Sequence, residues 1–67
     1  MNKINPKITI LELRAKNKMS QKEFGKTVGV SCQTVSAWEK NILSISTKNL
    51  VEVCKLYNIN PSDLLGT

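Results

Sequence analysis

Apolar residues along this chain recur in short bursts at helical spacing, separated by polar residues and turn formers. Ile10, Leu13 and Arg14 fall on one side at i, i+3 and i+4. Asn5 can cap that segment, and Pro6 suits a first helical turn, where its missing N–H costs nothing. Lys16 and Lys18 lie at the favourable C-terminal end, so the pattern predicts a helix from about Pro6 to Asn17. A second helix begins at Ser20, which forms an S-x-x-E capping box with Glu23. Phe24, Thr27 and Val28 supply its apolar face. Gly29 ends it, because glycine enters the left-handed region without strain. Ser31 caps a third helix running to about Lys40, with Val35 and Trp38 facing inward. A fourth starts after Ser46 or Thr47, carries the stripe Leu50, Val53, Cys54 and Tyr57, and closes at Asn58. Last comes a short helix with Asn60 as cap, Pro61 in the first turn, Asp63 near the positive end of the dipole, and Leu64 and Leu65 over the core. No segment alternates apolar and polar long enough to compete as a strand. The expectation is all-α: five short helices in one domain over residues 1–67.

The stretch from Ser20 to Lys40 holds two short helical patterns separated by a glycine. The outward face of its second helix, Cys32, Gln33, Ser36 and Ala37, is small or polar throughout. That describes a helix-turn-helix at about 20–40, with a recognition helix at about 32–40 shaped to enter a DNA major groove. Gly25 lets the two axes approach closely and Gly29 makes the sharp turn. Val30, Val35 and Trp38 seat the second helix on the core, where Trp38 belongs as packing and not as a stacking platform.

"MSQKEFGKTVGVSCQTVSAWEKN" resembles the helix-turn-helix of the Cro and cI repressor type, the family of phage repressors and small bacterial regulators. The likeness runs from about Ile8 to Leu65 and includes "TVSAWEKN" and "LVEVCKLYNINPSDLL". It implies a five-helix lambda-repressor-like domain that binds a palindromic double-stranded DNA operator, as a homodimer in most relatives. Matched position by position, Cys32, Gln33, Ser36 and Ala37 correspond to the base-reading face. Gln33 can pair bidentately with adenine, and Ala37 or Cys32 can touch a thymine methyl. Gln21 matches a glutamine that touches phosphate and braces the recognition helix, while Ser31, Thr34, Lys40 and Asn41 match backbone-contacting positions. Arg14 and Glu39 read by themselves as solvated charges. The resemblance implies instead a partly buried ion pair between the first and third helices. A chain ending at Thr67, straight after the DNA-binding unit, resembles a Cro-like genetic-switch repressor more than a full-length repressor.

Two departures from that family matter. Its Asn-Gly after the third helix is replaced by Lys40 and Asn41, and Asn41 is expected to take the left-handed turn conformation itself. The next loop, usually basic and polar, here carries Ile42, Leu43 and Ile45. Ile45 is expected to fold back on the core, and the three together to include an exposed patch marking a protein interface. The occupant would be a second copy or a partner repressor. This supports an alternative function, an antirepressor or antitoxin-like modulator acting on another protein.

Composition narrows the field further. Ten Lys/Arg against five Asp/Glu leave a net charge of +5, which fits a nucleic-acid partner or simply a soluble basic surface. One each of Phe, Tyr and Trp leave little for stacking single-stranded bases. There is no histidine, and two cysteines, Cys32 and Cys54, are too few and too far apart for zinc. No metal, cofactor or catalytic role is expected. No apolar run approaches the ~18 residues of a membrane span, and the amino end lacks a signal peptide, so a cytoplasmic location in a bacterial host is expected.

Overall fold

The computed structural model describes residues 7–66. In order they form α1 (Ile10–Lys16), α2 (Gln21–Val28), α3 (Cys32–Lys40), a 3-10 turn (Ile42–Ser44), α4 (Thr47–Tyr57) and α5 (Pro61–Leu65), with no strand among the described residues.

The first helix starts at Ile10, later than the cap signal of Asn5 and Pro6 indicates. Thr9 is extended and caps it: its hydroxyl accepts from the Glu12 N–H at 3.1 Å, and the Glu12 carboxylate accepts from the Thr9 N–H at 3.0 Å. This reciprocal box satisfies two orphan donors and stops the helix from extending backwards. Lys7 and Ile8 are therefore not helical, and the Lys7 N–H donates to the Asp63 carbonyl at 2.8 Å. Asn5 and Pro6 lie outside the described residues. At the other end the Met19 N–H returns to the Arg14 carbonyl and the Lys18 N–H to that of Ala15, a Schellman ending with Lys18 left-handed at φ 54°.

The helix-turn-helix follows from equally local chemistry. Ser20 and Glu23 form their capping box, and Gly29 ends α2 at φ 85°. The Gly25 carbonyl accepts from the N–H groups of both Gly29 and Val30, at 2.8 and 2.9 Å. A Cβ on Gly25 would lie 2.6 Å from the Val30 carbonyl oxygen and 3.3 Å from Val35 Cγ2. The absent side chain thus sets how closely α2 meets the turn and α3. Thr27, expected on the apolar face, is exposed. Its hydroxyl donates to the Phe24 carbonyl and lies 2.8 Å from the Tyr57 hydroxyl.

Ile10, Leu13, Phe24, Val35, Trp38, Val53 and Leu64 form the buried core, one or two from each α-helix. The stripe on α4 delivers Val53 to it, with Leu50, Cys54 and Tyr57 half-buried, and the Tyr57 ring stacks on Phe24 at 5.1 Å. Ser46 caps α4 and Asn58 closes it in the left-handed region at φ 55°. At α5, Asn60 makes no side-chain cap; its carbonyl accepts from Asp63 and Leu64 instead.

Candidate nucleic-acid interface

The second helix of the motif is held from behind by charge as well as by apolar packing. Glu39, on the inner side of α3, receives Arg14 Nε at 2.6 Å and Arg14 Nη2 at 3.3 Å from α1, and Gln21 Nε2 at 3.0 Å from α2. The remaining arm of the guanidinium donates to the Met19 carbonyl at 3.2 Å. Arg14 and Glu39 keep only 17% and 16% of their side chains exposed, so water competes weakly for these bonds. The Arg14 hydrogen bond holds the Glu39 carboxyl below the usual carboxylate range, and burial opposes it. Three helices thus converge on one carboxylate. The carboxylate fixes the orientation of α3, and Val35 and Trp38 fix its depth.

With its inner side occupied, α3 turns the other side outward. Cys32, Gln33 and Ala37 are exposed and Ser36 is half-buried. Among the described residues, none of the four side chains carries a bond that would hold it against the protein.

The residues expected at the DNA backbone are less uniform. Lys40 is exposed. Ser31 and Thr34 lie at the start of α3, where the Ser31 hydroxyl accepts from the Thr34 N–H and the two hydroxyls sit 3.1 Å apart. Only one hydroxyl proton of that pair is free for an outside acceptor. Gln21 is half-buried, with its amide nitrogen bonded to Glu39. Asn41 departs from expectation, being extended at φ −153° and ψ 98°. Its Oδ1 accepts from the Leu43 N–H at 3.2 Å, so a side-chain-capped 3-10 turn replaces the left-handed residue.

That turn also changes the apolar loop. Ile42 and Ile45 both rotate onto the core and are half-buried, which leaves Leu43 alone exposed, at 52%. Ile45 folds back as expected, Ile42 does so as well, and Leu43 is what the loop contributes to an exposed patch. Leu43 and Leu11, itself 54% exposed, both line a groove of about 260 Å³ together with Trp38, Ile42 and Leu64. Leu11 escaped the sequence reading because it lies off the inward stripe of α1. The bond from Arg14 to the Met19 carbonyl escaped it because nothing in a linear pattern marks a backbone acceptor.

Among the described residues, no group of histidine, cysteine, aspartate or glutamate side chains could hold a metal ion, and no helix is long and apolar enough to cross a membrane.

Residues 10–64 match the protein family described as Helix-turn-helix. The chain is 38% identical over 55 residues to the uncharacterized HTH-type transcriptional regulator YgzD of Bacillus subtilis (strain 168), a match covering 82% of this chain and 83% of that protein. It is 32% identical over 57 residues to the antitoxin PezA of Streptococcus pneumoniae serotype 4, covering 85% of this chain but only 36% of the antitoxin. The chain thus spans little more than a third of that relative's length. No solved structure matches it significantly.

Proposed function

Because the chain belongs to the helix-turn-helix family, we propose that it is a sequence-specific regulator of transcription that binds double-stranded DNA, and that it represses as Cro-like phage switch proteins do. The observation that carries this reading is the division of α3: one side is locked by Val35, Trp38 and Glu39, and the other offers Gln33 and its small neighbours unencumbered. In this mechanism α3 enters the major groove. Gln33 donates and accepts at an adenine edge, while Ala37 and Cys32 contact thymine methyls. Lys40, the Asn41 amide and the N–H groups at the helix starts meet phosphates and set the register. Small side chains at Cys32, Ser36 and Ala37 let the helix backbone approach the bases, so Gln33 is long enough to reach them. Two copies on a palindromic operator would place two such helices about one DNA turn apart, and occupancy would exclude polymerase.

The test is binding of the chain to duplexes selected from a random pool. Affinity falls steeply with salt, by roughly 0.9 in log–log slope for each phosphate neutralised. Gln33→Ala costs ~1–3 kcal/mol on the selected sequence and relaxes preference at one base pair. Absence of any selected sequence, together with equal loss by Gln33→Ala on random DNA, would refute sequence-specific reading.

A second reading, an antirepressor or antitoxin-like modulator, has two observations behind it: the groove between Leu11 and Leu43, and the antitoxin among the relatives. Here a repressor or toxin seats an apolar side chain between the two leucines. Co-purification with the product of the adjacent gene, abolished by Leu43→Asp with DNA binding retained, supports it; a Leu43→Asp chain that still co-purifies removes this surface from the argument.

A further inference from the structure

Two non-glycine residues hold a positive φ among the described residues, Lys18 at 54° and Asn58 at 55°. Asparagine tolerates this region, because its short polar side chain can hydrogen-bond locally; lysine makes no such local bond, and what favours it there is only its charge at the C-terminal end of α1. The Schellman ending of α1 demands a left-handed residue at position 18, since only that conformation returns the Met19 N–H to the Arg14 carbonyl. Glycine would make the same turn without strain. A long cation stands there instead, exposed and without an ion-pair partner among the described residues.

The surroundings of Lys18 are rigid. The carbonyl of Met19, its neighbour, is held by the same guanidinium that holds Glu39 on α3. Gln21, three residues on, bonds Glu39 as well. The backbone from Lys18 to Gln21 is therefore fixed to the recognition helix by side-chain bonds at two points. Lys18 directly precedes Met19, whose carbonyl the guanidinium holds, and Lys40 directly follows Glu39, so each exposed lysine is next in sequence to a residue of this bonded cluster.

We propose that Lys18 is a phosphate-contacting residue of the DNA interface, kept at a strained backbone position because its charge positions α3 on the duplex. This deepens the DNA-binding reading above and rests on it. Phosphate contacts carry register and affinity, not sequence, and a flexible ammonium on a rigidly placed Cα suits that task. Strain retained where glycine would relieve it is the mark of a position held for function.

The experiment uses the full chain, as wild type, Lys18→Gly and Lys18→Arg, on a selected duplex and a random one. Lys18→Gly melts at a higher temperature than wild type, which shows that it folds. It binds both duplexes several-fold more weakly at about 0.15 M salt, and its log–log salt slope falls by about 0.9, the signature of one lost phosphate contact. Lys18→Arg keeps the wild-type slope. A Lys18→Gly chain that melts higher yet retains affinity and slope on both duplexes overturns the proposal and leaves the DNA-binding reading intact. A wild-type chain with no salt-dependent DNA binding overturns both.

Discussion

Removing Glu39 tests whether one carboxylate holds the three helices of the motif. In Glu39→Ala, Arg14 loses both of its bonds to the carboxylate and the Gln21 amide loses its bond to it, while both groups stay largely enclosed. Breaking a fully buried pair costs ~3–5 kcal/mol, mostly as the desolvation of the charge left behind. Here about a sixth of each side chain reaches water, and Arg14 keeps the Met19 carbonyl, so the cost falls to the bottom of that range or just below it, ~2–3 kcal/mol. A chain of this size has roughly 3–10 kcal/mol of stability in all. At ~4–8 °C per kcal/mol, the melting temperature drops by roughly 10–20 °C. Circular dichroism melts of wild type, Arg14→Ala, Glu39→Ala and the double variant give the coupling energy directly, expected at ~1–3 kcal/mol. A Glu39→Ala melt within the ~0.5 kcal/mol of an ordinary surface substitution would refute the reasoning. So would strictly additive losses.

Two further outcomes follow from the same geometry. Glu39 is held low by its Arg14 hydrogen bond and Glu23 by the Ser20 N–H, so each contributes stability that is present above the ordinary carboxylate pKa and lost as pH falls through the folded value. Melting temperature should therefore be flat from neutral to about pH 5 and decline below about pH 4, and Glu39→Gln should flatten part of that decline; a parallel decline in wild type and Glu39→Gln would remove Glu39 as a cause. Gly25→Val places a branched side chain where a Cβ alone meets the Val30 carbonyl at 2.6 Å, so the turn must open at a cost of ~1–3 kcal/mol, read as a lower urea midpoint. An unchanged midpoint would show that the α2–α3 contact is not set by this glycine.

Most of the fold was legible because most of its signals are local. Ser20 with Glu23, Gly29, Ser31, Ser46 and Asn58 each satisfy or terminate backbone groups within a few residues of themselves, and each sits in the structure where the sequence puts it. The start of α1 differs from its expected place although its signal is of the same kind. Thr9 and Glu12 form a capping box, but Asn5 and Pro6 present a competing start, and sequence alone does not rank two legal caps. Asn41 failed for a different reason. The left-handed region is open to asparagine, but so is a side-chain cap, and the Leu43 N–H supplied the cap with a donor.

The candidate site divides along the same line. Which residues of α3 face outward follows from a 3.6-residue period once Val35 and Trp38 are assigned to the core, and Cys32, Gln33 and Ala37 are exposed accordingly. What each polar side chain is already bonded to follows from tertiary contact, and no periodicity encodes it. Gln21 illustrates the consequence: its amide nitrogen is spent on Glu39, so any phosphate contact it makes must use its second amide proton or the backbone N–H groups at the start of α2. The loop illustrates the converse. Three apolar residues in a row of five look like a patch when each is counted alone, but a 3-10 turn repeats every three residues, so Ile42 and Ile45 share one side and Leu43 is turned away. The surface they leave is a single leucine beside Leu11, and its apolar area is too small to drive a large obligate interface by itself. An interface there must gain its strength from what fills the groove over Trp38, and that ties any protein partner to the residue that also seats the recognition helix.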